Sequence, residues 1–180
     1  MVEEKTFIAQ LRDSKTQEAA FRELIKLYKE RLYWHIRKIV IVHDDADDVL
    51  QNTFIKVYRN IDKFKEESKL YSWMYRIATN ESITFLNQKA KLKNVDFETL
   101  QQEVIQNLES DVYFEGDEIQ LKLQKALATL PQKQLIVFNM RYFDDIKYEE
   151  MAEILETSVG ALKASYHHAK KKIETFLAND

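Results

Sequence analysis

An all-α fold of two small helical domains joined by an acidic linker, with a helix-turn-helix in the second, is predicted by three features. The first is composition. Two glycines and one proline in 180 residues leave few turn formers, and Leu, Lys, Glu, Gln and Ala dominate. The second is apolar spacing close to 3.6 residues across most of the chain. The third is a charge reversal in the middle: residues 94–120 hold no Lys or Arg, yet contain Asp96, Glu98, Glu103, Glu109, Asp111, Glu115, Asp117 and Glu118. A chain of this length and 45% hydrophobic content can bury one ordinary core or two small ones. The organisation expected is therefore a domain over 1–93, a linker over 94–119 and a domain over 120–180.

In the first domain, Phe21, Leu24, Ile25, Leu27, Tyr28, Leu32 and Ile36 predict a long helix from about Gln17 towards Ile39. The β-branched run 39–42 is too short for a strand without a hairpin partner and is read as the helix end. Asp44 and Asp45 are expected to cap a second helix through about Ile61, with Ala46, Leu50, Thr53 and Val57 on one side. Its other side carries Asp48, Gln51, Asn52, Ile55 and Tyr58. A third helix should run from Leu70 through Leu86, with Leu70, Met74 and Ile77 inward. In the linker, Val95, Phe97, Leu100, Val104, Ile105 and Leu108 would suit a helix or a docking segment, but a solvated acidic connector is the simpler reading.

In the second domain Pro131 suits a first helical position, where its missing N–H does no harm. Tyr148 to Leu155 reads as a short helix and Glu156 to Ser158 as a turn. Val159 to Leu177 follows as a longer helix capped by Ser158, giving helix-turn-helix spacing. That last helix has an apolar stripe, Leu162, Ala169, Ile173 and Phe176, and a basic one, Lys163, His167, Lys170 and Lys171. A basic face behind such a turn suits duplex DNA better than simple solvation.

Net charge is −3, so nucleic-acid binding has to be local. The absence of cysteine removes disulfides and thiolate metal sites and fits a reducing cytoplasm. The opening segment, Met1 to Asp13, lacks the apolar core of a signal peptide, and no stretch approaches bilayer-spanning length. A cytoplasmic protein without membrane insertion is expected. The four histidines, His35, His43, His167 and His168, lack metal-ligand spacing, Asp47 with Asp48 fits a helix start better than acid–base work, and no glycine-rich phosphate loop exists. No enzyme activity, metal or cofactor is expected.

Three stretches resemble the extracytoplasmic-function (ECF) sigma factors of bacterial RNA polymerase, in the family's order and over nearly the whole chain. Asp45 to Phe54 is similar to the helix that grips the polymerase clamp, which implies Asp48, Gln51, Asn52, Phe54 and Tyr58 as core-polymerase contacts. Tyr71 to Asn80 resembles the segment that opens the downstream promoter element. The resemblance implies Asn80 and the residues after it, Glu81 and Thr84 among them, as the non-template-strand site, with Arg76, Asn87 and Lys89 beside it. Held bases can stack on aromatic groups, each worth about 1–3 kcal/mol, although Trp73 and Tyr75 could equally fill the core. Leu130 to Phe143 and Tyr148 to Lys163 resemble the upstream-element domain. There Ser158, Lys163, Ala164, His167 and His168 are implied towards the bases, and Arg141, Lys170 and Lys171 towards phosphates.

The chain departs from the family at Thr84, Asn87 and Gln88, where many members carry an Asp and then an Arg pair, and at Ala164, Ser165 and His168. Glu156 stands where glycine is common, which costs energy if the turn needs a positive φ. The resemblance implies core RNA polymerase, promoter DNA both duplex and melted, and an anti-sigma factor as partners. A monomer when free is the default, and the lack of any basic residue in the linker suggests that it enters the positively charged polymerase channel. Two rivals remain. A helix-turn-helix regulator would bind duplex DNA without polymerase, and a helical adaptor would show no salt-dependent DNA affinity.

Overall fold

The computed structural model describes residues 2–106 and 118–178, all helices and connections among those residues. Leu108, Glu109, Asp111, Glu115 and Asp117 of the acidic segment lie outside them. The helices are α1 (Val2–Arg12), α2 (Gln17–Val40), α3 (His43–Asn60), α4 (Leu70–Lys93), α5 (Phe97–Gln106), α6 (Glu118–Ala128), α7 (Gln132–Tyr142), α8 (Tyr148–Leu155) and α9 (Val159–Ala178), with a 3₁₀ turn at Ile61–Lys63.

The apolar period of α2 does what it predicts: Leu24, Leu32, Ile36 and Ile39 are fully buried and pack with Val49 and Val57 of α3 and Met74 and Ala78 of α4. Helix α1 closes this bundle and also caps α4, because the Leu70 N–H donates to the Glu4 carboxylate at 2.8 Å. Asp44 and Asp45 are not N-caps. Val42 holds the cap position, and both acids lie in the first turn of α3, where they favour the positive end of the helix dipole.

Between α2 and α3 the chain turns within three residues. Ile41 adopts φ 69°, and the Val42 N–H reaches the Val40 carbonyl at 2.8 Å. A β-branched residue there is strained by about 1–3 kcal/mol. Burial holds it, since Ile41 is packed against Ile105 of α5 and Ala128 of α6.

The first half of the acidic segment is not a solvated connector. Asp96 accepts the Thr99 N–H at 2.7 Å and so caps α5, whose Leu100, Gln101 and Ile105 are buried. Gln101 also donates its side-chain amide to the Ile39 carbonyl at 3.1 Å. The apolar periodicity outweighs the acidic composition because the acids at 98 and 103 stay on the rim while the apolar face meets α4 and α6.

Helices α6, α7 and α9 enclose a second core of Leu127, Leu130, Leu135, Phe138, Ala169 and Ile173. Pro131 takes the N-cap of α7 rather than its first helical position, with an extended ψ of 146°. The two halves are also in contact. Ile136, Val137, Met140, Ile146, Met151, Ile154 and Leu162 belong to the buried cluster that contains the α2–α4 core.

Candidate partner and nucleic-acid interfaces

On α3 the buried side carries Ala46, Val49, Leu50, Thr53 and Val57, so a 3.6-residue repeat throws Asp48, Gln51, Asn52 and Ile55 outward together. Tyr58 continues this strip, 43% exposed, with its ring edge-on to Phe21 at 4.9 Å and its hydroxyl donating to Gln17 at 3.2 Å. Phe54 is different. It is only 8% exposed and packs edge-on against Phe21 at 6.3 Å, so it supports the strip from beneath, and Ile55 is the apolar group on the surface. An exposed row of acid, amide, aliphatic and phenol suits a protein partner.

On α4, Arg76, Asn80, Thr84 and Asn87 recur at spacings of four, four and three, which places them along one face. Asn80 and Thr84 are exposed. Glu81 and Lys89 sit on a flank and are tied to α3, Glu81 to Lys56 and Lys89 to Asp45. These pairs brace α4 on α3. Tyr75 fills the core at 2% exposure, between the His35 ring at 4.4 Å and Tyr71 at 4.3 Å, and this burial drives its hydroxyl pKa far upward. Trp73 is half-buried on Phe64 at 5.0 Å.

The helix-turn-helix has the predicted bounds for α8. Glu156 ends that helix at φ 50° and ψ 46°, the left-handed conformation that makes glycine common there. Ser158 caps α9 by accepting the Ala161 N–H at 3.2 Å. Leu162, Ala169 and Ile173 are buried, whereas Lys163, Ala164, His167, His168, Lys170 and Lys171 are all exposed. Apolar anchoring on α7 and α8 thus turns the basic face outward. Arg141 pairs with Asp145 at 2.6 Å and sets its guanidinium over the Tyr148 ring at 5.6 Å, a ring that the Lys163 ammonium also approaches, at 5.7 Å.

One cluster escaped the sequence reading. His35 is fully buried between Thr79 of α4, at 2.8 Å, and Asp144 after α7, at 3.1 Å, while Lys38 bonds the same carboxylate. Thr79 also donates to the Tyr75 carbonyl at 2.8 Å, which ties this cluster to the backbone of α4. Burial alone would raise the Asp144 pKa; the hydrogen bonds and positive charges of His35 and Lys38 outweigh it and hold the carboxyl below its ordinary range. Asp144 is 109 residues from His35 in sequence, so no local pattern could have joined them.

A helical unit with a mixed exposed strip on α3 and a polar row on α4, followed by a helix-turn-helix, matches the sigma-70 class of initiation factors. Residues 24–92 match Sigma-70 region 2 and residues 120–173 match Sigma-70, region 4. Within that class the chain belongs to the ECF sigma factors. It is 29% identical over 168 residues to the ECF RNA polymerase sigma factor SigW of Bacillus subtilis, spanning 88% of this chain and 89% of that protein. It is 28% identical over 174 residues to the ECF RNA polymerase sigma-E factor of Escherichia coli, spanning 91% and 89%. Among solved structures it resembles CnrH, seen with the cytosolic domain of CnrY, at a TM-score of 0.70 and 20% identity over 98% of both chains. The sigma factor RpoE of Bartonella quintana, seen with the anti-sigma factor NepR, gives a TM-score of 0.66 and 21% identity over 89% of this chain and 98% of that one. These two likenesses concern the fold.

Proposed function

We infer that this chain is an alternative sigma factor, which binds core RNA polymerase and directs promoter-specific transcription initiation. The observation that carries this is the order of the two matched regions, each presenting the kind of surface its role needs: a mixed polar strip on α3 and a basic outer face on α9. In this reading Asp48, Gln51, Asn52 and Tyr58, with Ile55 beside them, meet the polymerase. Asn80 and Thr84, flanked by Arg76 and Asn87, receive the melted non-template strand. Lys163, Ala164, His167 and His168 face duplex bases, with Lys170 and Lys171 on phosphates.

The chain supplies no bond-making chemistry in this reading, since polymerase is the catalyst, and it needs no cofactor. The Bartonella RpoE is seen with an anti-sigma factor and CnrH with the cytosolic domain of CnrY, and a partner of the anti-sigma kind fits this chain as well. Among the described residues no helix is long and apolar enough to cross a membrane. We propose action in the cytoplasm, beside the polymerase, as a monomer until polymerase is met.

The test is run-off transcription with purified core polymerase on fragmented host DNA, sequencing the RNA starts. Starts clustered behind a shared two-part motif, and lost with Gln51→Ala, are expected. No starts and no co-elution with core polymerase would leave a helix-turn-helix regulator as the better reading.

A further inference from the structure

Two cations from different helices share one aromatic ring at the edge of the helix-turn-helix. The Arg141 guanidinium of α7 lies 5.6 Å from the centre of the Tyr148 ring, and the Lys163 ammonium of α9 lies 5.7 Å from it. Both distances fall within the roughly 6 Å reach of a cation–π contact. Tyr148 is the first residue of α8, so its ring links the charges of the two flanking helices.

The ring is anchored from behind. It lies edge-on to Tyr166 at 6.4 Å, Tyr166 stacks on Phe138 at 5.6 Å, and Phe138 is buried in the second core. A run of rings thus carries the rigidity of the core out to the two charges.

Bringing two like charges to one ring is unfavourable unless something negative completes the group. Asp145 does so only in part. It binds Arg141 through Nη1 at 2.6 Å, and the same nitrogen donates to the Ile146 carbonyl at 3.4 Å. Nε and Nη2 of Arg141 have no acceptor among the described residues, and Lys163 has no ion pair there. The acids that follow Tyr148 do not supply one either. Glu150 pairs with Lys69 at 3.7 Å, and Glu149 makes no ion pair among the described residues. Charged donors on two helices are therefore left unused beside the exposed face of α9. An anion with several acceptor oxygens fits them, and on duplex DNA that group is the backbone phosphate.

We propose that Arg141 and Lys163 form a two-cation grip on the DNA backbone, and that Tyr148 is its positioning residue, acting through the two charges by fixing where they point. This rests on the reading of α9 as the duplex-binding helix. It assigns Lys163 to phosphate, whereas its place on α9 alone puts it towards a base edge.

The test is fluorescence anisotropy of holoenzyme on a labelled promoter fragment recovered by run-off transcription, across a salt series. The variants are Tyr148→Leu, Tyr148→Phe, and Arg141→Gln combined with Lys163→Gln, the last with and without Tyr148→Leu. Tyr148→Leu should weaken binding by about fivefold or more and lower the slope of log affinity against log salt by about 1 to 2, one or two phosphate contacts. Tyr148→Phe keeps the ring and should stay within about twofold of the parent. Base preference in the upstream element should not move, because phosphate contacts carry no sequence information. In the chain that lacks both cations, Tyr148→Leu should add nothing, a result that a purely structural role does not produce. A full effect of Tyr148→Leu in that background, or a Tyr148→Phe variant as weak as Tyr148→Leu, overturns the proposal. Lys170→Gln with Lys171→Gln is the control for the reading beneath it. If that pair lowers the slope while Tyr148→Leu does not, the proposal alone falls; if neither lowers it, α9 does not lie on DNA and both fall.

Discussion

Replacing Lys163, Lys170 and Lys171 together by glutamine removes three positive charges from the exposed face of α9 while keeping helix propensity nearly constant. Folding stability should change by less than about 0.5 kcal/mol, because none of the three is buried. Each lysine that neutralises a phosphate adds about 0.9 to the slope of log affinity against log salt. Between about 50 and about 200 mM salt one such contact changes affinity by roughly 3.5-fold, and three by roughly 40-fold. Lys170 already has Glu174 at 3.6 Å, so its share is smaller, and a slope loss of about 2 to 3 is expected. The assay is fluorescence anisotropy of a labelled promoter fragment with holoenzyme, for parent and triple variant, across a salt series. Contributions from polymerase are common to both and cancel in the difference. A slope difference below about 1 would refute the placement of this helix face against phosphates.

Gln51→Ala combined with Asn52→Ala, both on the exposed strip of α3, should weaken core-polymerase binding by about tenfold or more in a co-elution titration and leave the circular dichroism spectrum intact. Ile105→Ala opens the packing around Ile41 and Ala128 and should cost about 2–4 kcal/mol in urea unfolding; a loss under about 1 kcal/mol would mean that α5 is not docked. The Asp144 carboxyl, held below its ordinary value of about 3.9, stabilises the folded chain at pH above that value, and the contribution disappears as pH falls through the lowered one. Asp144→Asn should therefore flatten the acid limb of the stability–pH curve below about pH 4, while an unchanged limb would show that the carboxylate is not paired in solution.

Much of this fold was legible because it is local. The apolar rows of α2, α4 and α9 put most of their residues inward, Leu27 of α2 being the exception at 56% exposed, and Glu156 takes the left-handed conformation that its place in the turn implied. The outward strip on α3 and the basic face of α9 follow from the same arithmetic, since fixing the buried side of a helix fixes the exposed one. Local reasoning failed where two solutions were locally equivalent. Asp44 and Asp45 could cap a helix or open its first turn, and the choice fell to how the tight turn at Ile41 delivers the chain. Phe54 shares a helix with the strip yet faces Phe21, a contact set by how α2 crosses α3.

The sequence by itself determined the helices, their inner and outer faces, and the order of the two functional regions, because each depends on side chains within a few turns of one another. Tertiary structure decided three things. It docked α5 on α4 and α6 despite its acidic character, it fastened Glu81 and Lys89 to α3, and it joined the domains through His35, Lys38, Asp144, Arg76 and Glu156. Those pairs lie 25 to 109 residues apart, so their energy depends on which helices meet and at what angle. Periodicity carries no information about that, and complementary charge has many possible partners until packing selects one.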